Sequence, residues 1–205
     1  MASLLSYALT TKADVKESLS IASATTTYDN LIIRKINQAT RAIEGYCGRR
    51  FALTTYSNVE YDATNVDVLI LRQRPITTFT SLEIRNSGLN ISSWETIDSD
   101  LYFVDTNAGV IELNFNAGGR WNRYRVSYTA GYGTIPEDLA EACASLAAYY
   151  VNNADGSDVG VSKKKEGQRE VMYSSGNLTF KSLVQNLGVD SILDLYANNP
   201  IMTDR

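Results

Sequence analysis

The stretch YRVSYTAGYGTIPEDLAEACASLAAYYVN, residues 124–152, changes period in its middle and so decides the fold class. Up to Thr129, Tyr124, Val126 and Tyr128 alternate with Arg125, Ser127 and Thr129, the two-residue period of a strand with one buried face. Gly131 and Gly133 interrupt it. From Ile135 the pattern is helical: Pro136 suits a first turn, Thr134 and Glu137 stand at capping-box spacing, and Leu139 to Val151 run on without a breaker. A β segment handed to a long helix predicts an α+β chain.

Upstream, the two-residue period holds from about Phe51 to Gly133. Val66, Val68 and Ile70 alternate with Asp67 and Leu69, and Leu82 and Ile84 with Glu83 and Arg85. Leu101–Val104 and Val110–Leu113 flank Asp105-Thr-Asn-Ala-Gly109, a hairpin signal. The reading is an antiparallel β block of about six short strands, residues 53–133, inserted into a small helical core of about four helices made from 1–52 and 134–196.

The helices have their own signals. Thr11 can cap a short helix at 11–20 that carries Val15 and Leu19. Over 28–47, Ile32, Ile36, Ala39, Ile43 and Tyr46 form one apolar face, with Thr27 as a cap, Asp29 in the first turn and Gly48 as terminator. Leu178–Leu187 and Asp190–Tyr196 are short amphipathic pieces. Residues 153–177, rich in Gly, Ser, Asp, Asn and Lys, predict a mobile loop bearing Lys163, Lys164 and Lys165; 197–205 predict a C-terminal tail.

Helix 135–152 is apolar nearly all round, with only Asp138, Glu141, Ser145 and Asn152 as a polar stripe. Such a helix must be covered on most sides. A neighbouring subunit is the expected cover, meeting the small residues Ala140, Ala144 and Ala147.

Composition excludes much chemistry. The 205 residues contain no histidine, which removes Ser-His-Asp and Cys-His nucleophile systems and His-ligated metals. Cys47 and Cys143 are too few for a four-cysteine site and read as reduced, buried thiols, with no cofactor and no metal implied. A net charge of -4 argues against a free-standing duplex-DNA binder. Besides the lysine cluster, basic groups gather at Arg49-Arg50 and Arg120/Arg123/Arg125. No apolar run spans a membrane, and the N-terminus lacks a signal-peptide pattern.

The remaining candidates have structural readings beside functional ones. The carboxylate pairs Asp98/Asp100 and Asp62/Asp67 fall in turns, and Glu137/Asp138 in a helical first turn. Gly118-Gly119 and Gly131/Gly133 match no phosphate-loop pattern. Trp94 and Trp121 suit packing in the β block, or stacking on a sugar.

Several segments, in order, resemble the head–tail connector (adaptor, or head-completion) proteins of tailed bacteriophages. Tyr28-Asp-Asn through Asn37-Gln-Ala-Thr-Arg-Ala-Ile-Glu-Gly-Tyr-Cys-Gly-Arg49-Arg-Phe51 is similar to their opening helix. Leu71-Arg-Gln-Arg-Pro75-Ile with Ser81-Leu-Glu-Ile84, and Tyr102-Phe-Val-Asp105 with Gly109-Val-Ile-Glu-Leu113, resemble a strand pair and a hairpin of the longer members. Tyr128-Thr-Ala-Gly-Tyr132 with Ile135-Pro-Glu-Asp-Leu139-Ala-Glu-Ala142 is the most specific segment. Lys164/Lys165, Gly167 and Tyr173 resemble the variable loop that follows.

The resemblance covers most of residues 11–196. It implies a virion structural protein with no enzyme activity, made in the bacterial host cytoplasm and placed at the head–tail interface. It implies a homo-oligomeric ring of about twelve subunits. The partners would be the portal protein above and a stopper or tail-completion protein below, with DNA passing through the channel unread. The C-terminal apolar residues Ile192, Leu193, Leu195, Tyr196, Ile201 and Met202 are then the expected portal contact, since a short apolar tail orders on a partner. Lys163–Lys165 are the expected channel or partner loop. The alternative from the residues alone is a carbohydrate- or ligand-binding β module on a helical mount; a carboxylate-based hydrolase is a third class.

Overall fold

The computed structural model describes residues 2–61, 67–85, 93–115, 124–154, 163–166, 169–172 and 179–197. The fold is α+β and divides into two compact units. One runs from Arg50 to Thr134; the other is built from the flanking segments, up to Arg49 and from Ile135 onward.

The helical unit holds α1 (Lys12–Ser18), α2 (Asp29–Cys47), α3 (Glu137–Asn152), α4 (Phe180–Asn186) and α5 (Asp190–Tyr196). Thr11 caps α1 as expected: its Oγ1 accepts from Asp14 N at 3.3 Å, and Asp14 Oδ2 accepts from Thr11 N at 3.0 Å. The α2 stripe is buried at Ile32, Ile36, Ala39 and Ile43, with Thr40 and Cys47 completing it. Gly48, at φ 67°, ends the helix in the left-handed region.

Two expected caps do not form. Tyr28, not Thr27, takes the N-cap position of α2, without a side-chain bond. In α3 the cap is Pro136, so Glu137 is the first helical residue rather than the third, and no box with Thr134 is made.

The apolar circumference of α3 is covered by its own chain, because α1, α2 and α5 all pack on it. Ala144 and Ala147 are fully buried there and Ala140 is half-buried. The expectation that a second subunit covers Ala144 and Ala147 is corrected: periodicity shows that a face must be buried but not by what.

Among the described residues the β unit has seven strands: β1 (Thr54–Tyr61), β2 (Val68–Ile70), β3 (Ile76–Arg85), β4 (Trp94–Thr96), β5 (Tyr102–Asp105), β6 (Val110–Leu113) and β7 (Tyr124–Ala130). They form two antiparallel sheets, ordered β1-β7-β3-β4 and β2-β6-β5. Both sheets contribute to one core: Leu69, Ile111 and Leu113 from one, Leu82, Val126 and Tyr128 from the other. The alternation of β7 is kept, with Tyr124, Val126, Tyr128 and Ala130 buried. The hairpin turns at Gly109 (φ 69°), where Asp105 Oδ1 accepts the amides of Asn107 and Ala108 at 3.0 and 2.9 Å.

Within 153–177, expected as a loop throughout, β8 (Lys163–Glu166) pairs antiparallel with β9 (Arg169–Met172), Lys163 opposite Met172 and Glu166 opposite Arg169. A four-residue ladder is too short to raise a period signal against so polar a composition. Asp62, Gly118, Gly119, Arg120, Trp121, Arg123, Ile201 and Met202 lie outside the described residues.

Candidate assembly surfaces

The C-terminal helices separate the expected portal residues into two kinds. Leu193 is fully buried, and its carbonyl accepts from Cys47 Sγ at 3.6 Å. Leu193 is therefore core and is withdrawn as a contact residue. Tyr196 is tied into its own subunit: its hydroxyl donates to Asp138 Oδ1 and Oδ2 at 2.9 and 3.1 Å, and the Arg49 guanidinium lies 5.8 Å over its ring. Tyr46 Oη donates to Asp194 Oδ1 at 2.6 Å, which pins the outer side of α5 to α2. Leu195 is left 80% exposed and Ile192 half-buried. The pinned helix thus presents a large aliphatic at its surface.

A second cluster was hidden from the sequence reading. Lys16 of α1 is 3% exposed. Its Nζ donates to the carbonyls of Ser23 and Thr25 at 3.1 and 2.6 Å and lies 2.7 Å from Asp29 Oδ1. Lys12 pairs with the other oxygen of Asp29. Asp29, read as a helix-dipole charge, is thus a bridge that closes the 20–27 linker between α1 and α2. Hydrogen bonding from Lys12 first, then Lys16, holds its carboxyl below the usual range. The only sequence signal was Lys12 and Lys16 four apart on one helix face.

On the outer face of the four-stranded sheet, the Trp94 ring has two guanidinium carbons at 4.6 Å from its centroid, those of Arg85 and Arg125. Arg125 pairs with Glu83, and Arg85 Nη2 lies 3.6 Å from Glu60 Oε1. The ring is engaged within this network, which speaks against a sugar platform at Trp94.

The chemistry available is slight. Burial pushes the Cys47 thiol up to about 11 and the Cys143 thiol up to about 12, so both stay protonated near neutrality and neither is an activated nucleophile. Asp98 Oδ1 accepts from Asp100 N at 3.3 Å and caps a short 3-10 turn, Ser99–Leu101, which accounts for that pair structurally. Among the described residues no acid or thiol cluster could hold a metal ion, and no helix is long and apolar enough to cross a membrane.

The profile of the head completion protein family matches residues 8–186. The chain belongs to the head completion protein family. This agrees with the order of segments from Tyr28 to Tyr173. Among solved structures, the neck of a native GTA particle computed with C12 symmetry matches at 18% identity and TM-score 0.50, covering 91% of this chain and 92% of that one. The neck of an empty GTA particle computed with C6 symmetry matches at 18% identity and TM-score 0.46, covering 85% and 87%, and the virion of a native gene transfer agent particle at 16%, 0.47, 90% and 92%. At such identity the likeness is one of fold. No curated protein matches the sequence.

Proposed function

We propose that this head completion protein is a head–tail adaptor: a non-enzymatic virion protein that binds the portal as an oligomeric ring, extends the DNA exit channel and offers the docking surface for a stopper or tail protein. The family match over residues 8–186 carries the reading. The likeness to a neck structure with C12 symmetry supports the ring.

The mechanism is binding. The exposed side of α5, Leu195 with Ile192 and the following Ile201 and Met202, meets the portal. Lys163, Lys164 and Lys165 face the channel or a partner, where charge repeated around a ring forms a collar along the DNA phosphates. On α3, only Ala140 among the three alanines is open enough to join a subunit contact.

The test is co-sedimentation with purified DNA-filled heads that lack this protein, with native mass measured in parallel. The expected result is stoichiometric binding at the portal vertex and restored tail joining. Heads that neither bind the protein nor gain tails in its presence would overturn the reading.

A further inference from the structure

Among the described residues the three-stranded sheet leaves one face open, and its chemistry is one-sided. Strand alternation puts Leu69, Ile111, Leu113 and Val104 inward. Two cross-strand rows face outward: Val68–Glu112–Phe103 and Ile70–Val110–Asp105. Phe103 is 64% exposed and Ile70 56%, with Val68 and Leu101 also open. The charged residues of the two outward rows are Glu112 and Asp105, both acids; the arginines nearest in sequence, Arg72 and Arg74, follow the end of β2 and stand outside the rows. The face is apolar and acidic, so its complement is apolar and basic.

Such a complement lies on the other unit of the same chain. One outer stripe of α2 presents Arg34, Gln38 and Arg41, all exposed, then Gly45, at the spacing of a single helix face. Of the α2 acids, Asp29 is bridged to Lys12 and Lys16, and Glu44 lies off the stripe. Arg34 and Arg41 are seven residues apart, roughly 10 Å along the axis. The two sheet rows are about 7 Å apart along the strands, so both charges can be met at once. A Cβ at Gly45 would meet nothing within 4 Å inside the subunit. Without a side chain, Gly45 leaves room there for a neighbouring backbone.

We infer that, in the ring proposed above, the outer face of the β2-β6-β5 sheet of one subunit docks on the Arg34–Gly45 stripe of α2 in the next copy. The contact is heterologous, one copy using its β unit and the next its helical unit, the kind of contact that gives a ring when its rotation closes.

Charge reversal tests it. Glu112→Arg, Phe103→Arg and Arg41→Glu each change an exposed side chain, so each should fold with a Tm close to wild type. Each should weaken self-association at least tenfold by sedimentation velocity, or lower the copies bound per DNA-filled head in the same proportion. The double variant Glu112→Arg with Arg41→Glu should recover most of the loss. Normal assembly by Glu112→Arg and Phe103→Arg, or single losses without recovery in the double variant, would overturn this contact and leave the adaptor reading standing. A wild-type chain that neither self-associates nor binds heads would overturn both.

Discussion

Lys16 Nζ sits 2.7 Å from Asp29 Oδ1 while donating to the carbonyls of Ser23 and Thr25, so one buried ammonium closes the linker between α1 and α2. Replacing Lys16 with Met keeps the stem and removes every one of these bonds. The expected cost is about 2 kcal/mol, a Tm fall of roughly 5 °C.

The same bridge gives an acid limb to stability. Asp29 is held below its ordinary value of 3.8 by its lysine bonds, and Asp14 by the Thr11 amide first and then the Thr11 hydroxyl. A carboxyl with a depressed folded pKa binds fewer protons folded than unfolded, so stability rises with pH across that window. The contribution is complete well above 3.8 and is lost as pH falls through the folded values. Urea midpoints from pH 6 to pH 3 should fall, and Asp29→Asn should flatten the fall.

Gly131 and Gly133 should respond oppositely to alanine. Gly131 has φ 110°, and a Cβ there would lie 2.7 Å from the carbonyl oxygens of Phe51 and Ala52. Gly131→Ala should cost at least about 2 kcal/mol. Gly133 has open space and should accept alanine with no loss. Equal denaturation midpoints for the two variants would contradict the close approach.

On α5 and α3, burial separates contact residues from core. Leu195→Asp should leave Tm unchanged and weaken binding to portal-bearing heads, whereas Leu193→Asp and Ala144→Glu should unfold the subunit by burying a charge. Changing Lys163, Lys164 and Lys165 to Gln should leave ring formation intact and alter DNA retention or tail joining. Loss of the ring in that triple variant would move the lysines from the channel to the subunit contact.

The cysteines give a check on the helical core. With thiols pushed up to about 11 and 12 by burial, a disulfide reagent at pH 8 should react slowly with the native chain and with both thiols on unfolding. Because unfolded thiols ionise near 9.0 and folded ones above it, stability should decline as pH rises past 9. Fast native labelling would mean that α2 or α3 opens locally.

Local pattern alone determined a good deal here. The period change at Gly131–Ile135, the Thr11 cap, the Gly48 stop and the hairpin turn at Gly109 depend on neighbours within a few residues, so they were legible before any packing was known. The order of those segments along the chain also carried the family. Tertiary structure decided the rest, since a helix face records that it is buried but not by what. Only packing shows that α3 is covered by its own helices, that Leu193 is core while Leu195 is open, and that Trp94 lies against two arginines. Likewise, Lys16 and Asp29 are ordinary charges in the sequence, and become a buried bridge only when α1 and α2 fold to bring residues thirteen apart within hydrogen-bond distance.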